Sequence, residues 1–325
     1  MDIKTPFKIV SFIFVTTFFS SLLFASNSPP PIIAITQIED HPAANAVREG
    51  VLKALKDKGI EDGPNYTILY ESAQGSSVTA AQIAQKFVGL SPAVLVPIST
   101  TSTQTMAKAD ELYGIPIVFA AVTDPLASGI VSSLKHPGGY ITGVTDAAPV
   151  KEQLKLFKKI LPQMKTLGVI YNPGDSSSLT PLVQAREAVK DLNITLIEVT
   201  AFKTADVPGA VKNLMGKEVD ALFVPLDNTA LSAMESILKI ANQYKIPVFS
   251  SDRDSVAQGA LASYGYSHFD TGYTAGKMVE QVLKGANPGD ISVATAQALN
   301  VYINSKTAQY LKISIPQEIL KQAKL

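Results

Sequence analysis

The chain has 325 residues, 46% hydrophobic and 17% charged, with 28 basic and 28 acidic side chains, zero formal net charge and no cysteine. Neutrality removes the electrostatic case for a nucleic-acid partner, and the lack of cysteine excludes thiol catalysis, disulfides and thiolate metal sites. What remains is a globular chain with material for one or two cores, compatible with an oxidising compartment.

Lys4 and Lys8 precede an uncharged apolar run from Ile9 to Phe24, followed by Ala25 and Ser26. This is the pattern of a secretory signal, with cleavage expected after Ala25 (residues 1–25). The run is shorter than the roughly 20 residues of a spanning helix, and an uncleaved anchor is the plain alternative. No cysteine stands at the junction for a lipid anchor, and no second long apolar run follows, so the mature chain is expected to be soluble.

The first series of elements reads as strand Ile32–Thr36, helix Ala43–Lys58, strand Tyr66–Tyr70, helix Val78–Leu90 and strand Ala93–Ile98. Polar Ser99–Thr103 then leads into a helix ending at Leu112. The uncharged run Ile117–Val122 reads as a strand buried on both faces. Thr123-Asp124-Pro125 follows and suits a helix start, with Asp as cap and Pro at the first helical position. A turn at His136–Tyr140 leads to strand Ile141–Val144. This βαβα alternation implies a parallel sheet with helices on both faces.

A second series follows: helix Pro149–Ile160, strand Leu167–Tyr171, helix Thr180–Leu192, strand Thr195–Val199, helix Val207–Met215, strand Ala221–Val224, helix Leu231–Tyr244 and strand Pro247–Ser250. Val94–Thr101 (VLVPISTT) echoes Leu222–Thr229 (LFVPLDNT), which suggests two similar lobes with polar strand ends facing each other. Beyond Asp252 the chain is broken: a strand at Ala260–Ser263, helix Gly272–Leu283, mixed strand character over Ile291–Tyr302, helix Asn304–Leu311 and a short helical tail at Ile319-Leu320.

In an open α/β sheet, ligands bind at the carboxyl ends of the strands. Ser99, Thr100, Thr101 and Thr123 offer hydroxyls beside helix N-terminal amides, a setting that holds a carboxylate without a basic residue. Asp227 and Asp252, with Asn228 and Thr229, offer acceptors for an ammonium group. Each of these residues can equally be a helix cap or a turn residue. The same ambiguity holds for Asp124 and for His41, which precedes Pro42. Three scattered histidines make a poor case for a metal. The chain lacks G-x-S-x-G, G-x-G-x-x-G and the Walker glycine-lysine pattern, so an enzyme is not expected.

Several segments together resemble the ABC-transporter substrate-binding family, in the branch of tryptophan- and tyrosine-type binders. They are PIVFAAVTDP (Pro116–Pro125), GGYITGV (Gly138–Val144), GVIYNPG (Gly168–Gly174), VPLDNT (Val224–Thr229), IPVFSSD (Ile246–Asp252), GALASYG (Gly259–Gly265) and NSKTAQYLKISIP (Asn304–Pro316). The resemblance implies an α/β fold of two doubly wound parallel-sheet lobes joined by a three-segment hinge, the periplasmic binding protein-like I architecture. Crossings are expected near Thr145, Ser263 and Asn300, giving lobe one as 31–145 plus 264–299 and lobe two as 146–263 plus 300–325. It also implies that Thr100, Thr101 and Thr123 hold an α-carboxylate, that Asp227 and Asp252 face an amino group, and that Gln37, His41 and Asn228 lie in the cleft. Phe119 and Tyr264 are candidate aromatic walls. The function implied is periplasmic delivery of a small zwitterion, an aromatic amino acid by preference, to an ABC permease in the inner membrane. The protein would act as a monomer without cofactor, metal or catalysis. The alternatives are a secreted α/β hydrolase-like enzyme and a sensor subunit of a membrane receptor.

Overall fold

Charge-free apolar runs become the inner strands of two sheets, and amphipathic stretches become the helices that cover them. A computed structural model describes Met1, residues 29–295 and residues 299–324. The expected signal segment lies outside the described residues. Among the described residues no helix is long and apolar enough to cross a membrane.

The first sheet takes β1 (Ile32–Gln37), β2 (Thr67–Ser72), β3 (Val94–Ile98), β4 (Ile117–Val122) and β5 (Ile141–Thr145), with α1 (Pro42–Lys56), α2 (Ser77–Gly89) and α3 (Thr100–Asp110) between them. The chain then builds α4 (Val150–Ile160), β6 (Thr166–Tyr171), α5 (Ser176–Asp191), β7 (Thr195–Thr200), α6 (Val207–Met215), β8 (Ala221–Val224), α7 (Asn228–Ser232), α8 (Met234–Gln243), β9 (Val248–Ser250), α9 (Asp254–Gln258) and β10 (Ala262–Gly265). The remainder is α10 (His268–Leu283), β11 (Ala294–Thr295), β12 (Asn300–Ile303), α11 (Ser305–Leu311), α12 (Gln317–Leu320) and β13 (Ala323–Lys324). The strand orders are β11-β5-β4-β3-β1-β2 and β13-β12-β10-β9-β8-β6-β7. All pairings are parallel except β10 with β12.

The orders β5-β4-β3-β1-β2 and β10-β9-β8-β6-β7 are the same pattern used twice. The sequence echo therefore falls on the equivalent strands β3 and β8. Within lobe one the two-residue period of a strand sorts the core: Ile33 and Ile35 face α1 and α10, whereas Ala34 packs with Phe87 of α2 and Met106 of α3. Lobe two has one continuous core, centred on Phe157 of α4 stacked against Phe249 at 4.3 Å and tilted against Phe223 at 5.8 Å.

Four helices depart from the expected bounds, each for a local reason. Asp175 accepts from Ser177 N at 3.0 Å and starts α5 at Ser176 rather than Thr180. Ser267 accepts from Asp270 N at 3.2 Å and starts α10 at His268 rather than Gly272. Asp227 caps α7, and a back-bond from Ser232 Oγ to Asn228 O at 2.8 Å accompanies a break at Ala233, so one expected helix becomes α7 and α8. Asp124-Pro125 starts no helix; Asp124 accepts from Ala127 N at 2.9 Å and closes a turn.

The chain passes between the sheets after β5, after β10 and after β11. Beside the second passage, His268 of α10 meets Asp252 beyond β9, with Nδ1 3.1 Å from Oδ1, and lies 3.6 Å from Asp254 Oδ2. Burial alone would discharge both groups. The bonds from His268 outweigh it and hold Asp252 at about 2, while Asp252 and Asp254 push His268 up to about 10. Helix α10 is locked to α1 through glycines. A Cβ on Gly272 would overlap the Val47 carbonyl, one on Gly50 the Phe269 carbonyl, and one on Gly276 would sit 2.7 Å from Val51 O.

Gly272→Ala is therefore expected to destabilise the protein by about 2–3 kcal/mol in urea unfolding, because rigid backbone must move. Gly209→Ala, at an exposed position of α6 with nothing near its Cβ, is expected to stabilise by up to about 1 kcal/mol. The ion pair sets a pH window. Asp252, with a depressed folded pKa, contributes fully above about pH 4, and this is lost as pH falls towards about 2. His268, with a raised one, contributes fully below about pH 6.5, and this is lost as pH rises towards about 10. Wild-type unfolding free energy should thus fall between pH 6.5 and 9.5, with a slope approaching about 1.4 kcal/mol per pH unit. In His268→Gln that decline should vanish, and an unchanged slope would refute the assignment.

Candidate functional site

Strands β3, β4 and β5 lie side by side and end in Ser99, Thr123 and Asp146. Two residues on this rim hold left-handed backbone that only glycine adopts freely: Ser99 at φ 80° and Ala121 at φ 56°. Ala121 sits where the β4–β5 register slips between Ala120 and Val122. Strain of this kind costs about 1–3 kcal/mol per residue and collects at binding sites. Backbone and hydroxyls tie the rim together. Ser99 N donates to Ala120 O at 3.0 Å, Thr123 N to Thr100 Oγ1 at 3.4 Å, and Thr145 Oγ1 to Thr123 O at 3.2 Å.

The rim of lobe two closes over it. His41 caps α1, its Nδ1 accepting from Ala44 N at 3.3 Å, so the ring carries its proton on Nε2 and donates to Asn228 Oδ1 at 3.1 Å. Burial lowers the His41 pKa, which keeps the ring neutral. Asn228 Nδ2 donates in turn to Asp175 Oδ2 at 2.8 Å, and Thr101 Oγ1 returns from lobe one to Asp175 Oδ1 at 3.4 Å. Further bonds cross the cleft from Ser176 to Gln104 at 2.9 Å, Thr180 to Asp124 at 3.1 Å and Thr204 to Glu39 at 2.9 Å.

A cavity lies between the lobes. Its apolar lining is Ala43, Ala44, Val47, Ile98 and Ala121 from lobe one and Leu226 and Leu231 from lobe two; its polar lining is His41, Ser99, Thr123, Asp146, Ser177, Asn228 and His268. Ser99 Oγ and Asp146 Oδ1 are buried without a hydrogen-bond partner. Burial raises the Asp146 pKa, against the opposing effects of the His268 charge and the Thr123 hydroxyl. Such a lining can hold a head group with one donor and one acceptor end and an apolar remainder. Asp252, Asp254 and His268 are close enough together to ligate a metal. Here His268 Nδ1 instead pairs with Asp252 Oδ1 at 3.1 Å.

Eight residues expected at the ligand do not line the cavity. Asp227 spends its carboxylate on backbone, accepting from Ala230 N at 2.7 Å and Asn172 N at 2.6 Å; burial and the Asp175 charge push it up to about 7. Asp252 is taken by His268, the amides of Asp254 and Ser255, and the Ser255 hydroxyl. Phe119 is wholly buried with Val122 and Val131 and is core, not wall. Tyr264 packs on the core of lobe two, its carbonyl accepting from Gln153 Nε2 at 2.7 Å. Asp124 caps its turn and bonds Thr180, and Gln37 serves a local network, donating to Glu39 O, Asp40 Oδ1 and Asn45 Oδ1. His41, Ser99, Thr123 and Asn228 do face the cavity, while Thr100 and Thr101 brace its rim. Sequence reasoning missed Asp146, Ser177 and His268. Asp146 follows β5 at the same carboxyl edge as Ser99 and Thr123, so the rule that singled those out also applied to it.

Residues 32–325 match the family described as ABC transporter substrate binding protein. A tyrosine-binding protein of Clostridioides difficile is 37% identical over 279 residues, covering 86% of this chain and 80% of that one. The structure of an ABC domain from Streptococcus pneumoniae in complex with L-Trp is 31% identical, with a TM-score of 0.86 over 90% of this chain and 98% of that one. The ligand-free, open structure of a Clostridium difficile substrate-binding protein with adhesive properties is 33% identical at the same coverage, yet its TM-score is 0.66. The chain thus superposes better on the L-Trp complex than on the ligand-free, open structure, and hydrogen bonds across the cleft join its own two lobes. It belongs to the ABC transporter substrate-binding protein family, whose members work outside the cytoplasm with a small-molecule ligand and a membrane permease.

Proposed function

We propose that this protein is the non-catalytic solute-binding component of an ABC importer and that its cargo is an aromatic amino acid of the tyrosine or tryptophan type. The observation that carries the reading is the make-up of the cavity: unpartnered polar atoms of Ser99 and Asp146 on the β3–β5 rim, with aliphatic side chains from both lobes beside them. The similarity to a tyrosine-binding protein and to a domain complexed with L-Trp points to the same ligand class. The apolar wall here is aliphatic, so a flat ring would lie between Val47 and Ile98 on one side and Leu226 and Leu231 on the other. The Ser99 hydroxyl and the first amides of α3 suit the ligand carboxylate. Cleavage after Ala25 would release the chain into the periplasm as a monomer, to meet a permease in the inner membrane. The lobes would hinge at the passages after β5, β10 and β11, and closure would present a changed surface to that permease.

Mass spectrometry of ligand co-purified from the periplasmic fraction, with thermal-shift screening, tests the cargo. Tyrosine or tryptophan is expected to raise Tm, with sugars and purines as inactive controls. Stabilisation by sugars or purines alone would reject the amino-acid reading; a response to aliphatic amino acids alone would reject only the ring. N-terminal sequencing of the same preparation should begin at Ser26. Ser99→Ala should leave the ligand-free Tm unchanged, since its hydroxyl has no protein partner, while weakening binding of the preferred amino acid by about 10–100-fold.

A further inference from the structure

Among the described residues Asp146 is the one carboxylate that lines the cavity, and it stands on the first passage between the lobes, after β5 and before α4. It is 6% exposed, and its Oδ1 has no hydrogen-bond partner. Three other buried carboxylates near the cleft have both oxygens engaged. Asp175 binds Asn228, Ser177 and Thr101; Asp227 binds two amides; Asp252 binds His268 and Ser255. Ser99 lies two strands away on the same rim, so the two orphan atoms belong to residues about 10 Å apart by strand spacing.

We propose that Asp146 receives the α-ammonium of the bound amino acid, so that the ligand's positive end is held by the hinge segment and not by the acidic strand ends of lobe two. The inference rests on the amino-acid reading above and adds to it the residue that selects for the amino group. The groups facing Asp146 fit this role. His268 of α10, paired with Asp252 and Asp254, is the cation that acts on it; Thr123, just after β4, donates its hydroxyl; Tyr266 lies on the next passage; His41, the cap of α1, is neutral. Burial favours the protonated carboxyl in the empty cavity, so an arriving ammonium favours release of that proton.

The test compares L-tyrosine and L-tryptophan with their desamino analogues, the corresponding aryl-propionates, by calorimetry on wild type and Asp146→Asn. The variant is isosteric and is checked by its ligand-free melting curve. Asp146→Asn should lose about 100-fold or more in affinity for the amino acids while binding the desamino analogues as well as wild type or better. Equal losses for both ligands, or no loss for either, would overturn the proposal and leave the amino-acid reading intact. Failure of wild type to bind either amino acid would overturn both. Should the variant not fold, wild type alone decides. In buffers of differing ionisation enthalpy, the amino acids should release more protons than the desamino analogues, increasingly so as pH is lowered from 8 to 5. A release that grows towards alkaline pH would assign the proton to His268 and reject Asp146.

Discussion

A polar group taken out of water must find a partner, and in this protein the partners are split between two lobes. Asn228 is satisfied from lobe one by His41 and from its own lobe by Asp175, and Asp175 is satisfied in part by Thr101 across the cleft. No single lobe can complete this chain of bonds. On the proposed hinge, closure would complete this buried hydrogen bonding and shape the cavity in one movement, and opening would return the same groups to water. A ligand supplying a few kcal/mol of differential affinity could then decide the state.

The two sheets repeat one strand order, yet their rims have different tasks. At the end of β3 the chain turns through a left-handed Ser99, which leaves its hydroxyl facing the cavity without a partner. At the equivalent end of β8, Asp227 is absorbed by the amides of α7 and of Asn172, and it is the next residue, Asn228, that faces the cleft. Lobe one thus presents open binding atoms, whereas lobe two presents mostly apolar side chains and a latch.

This asymmetry also explains what was legible in the sequence. The strands were, because uncharged runs such as Ile117–Val122 fit little but a buried parallel strand, and the doubled series followed from their alternation with helices. The rim as a place was legible too, through Ser99, Thr123 and His41. The role of each rim residue was not. Asp227 and Asp252 have the composition of ammonium acceptors, but whether a carboxylate is free or spent on nearby amides depends on backbone turns that residue type does not encode. Phe119 looked like a wall because it is aromatic and near the rim; strand alternation places it in the core, against Gly143 of β5. Asp146 escaped notice because it begins a connection and belongs to no motif, although position alone put it beside Ser99 and Thr123.

The glycine seam between α1 and α10 has a consequence for how the chain matures. Its halves come from residues 42–56 and 268–283, so the first lobe lacks a helix from one face of its core until most of the polypeptide exists. Parallel pairing already delays that lobe, since its contacts are distant in sequence. The amino-terminal half leaving a ribosome therefore has an uncovered apolar face and no complete domain to commit to. A late-made helix thus completes the first-made lobe, and that lobe's core waits for both segments of the chain.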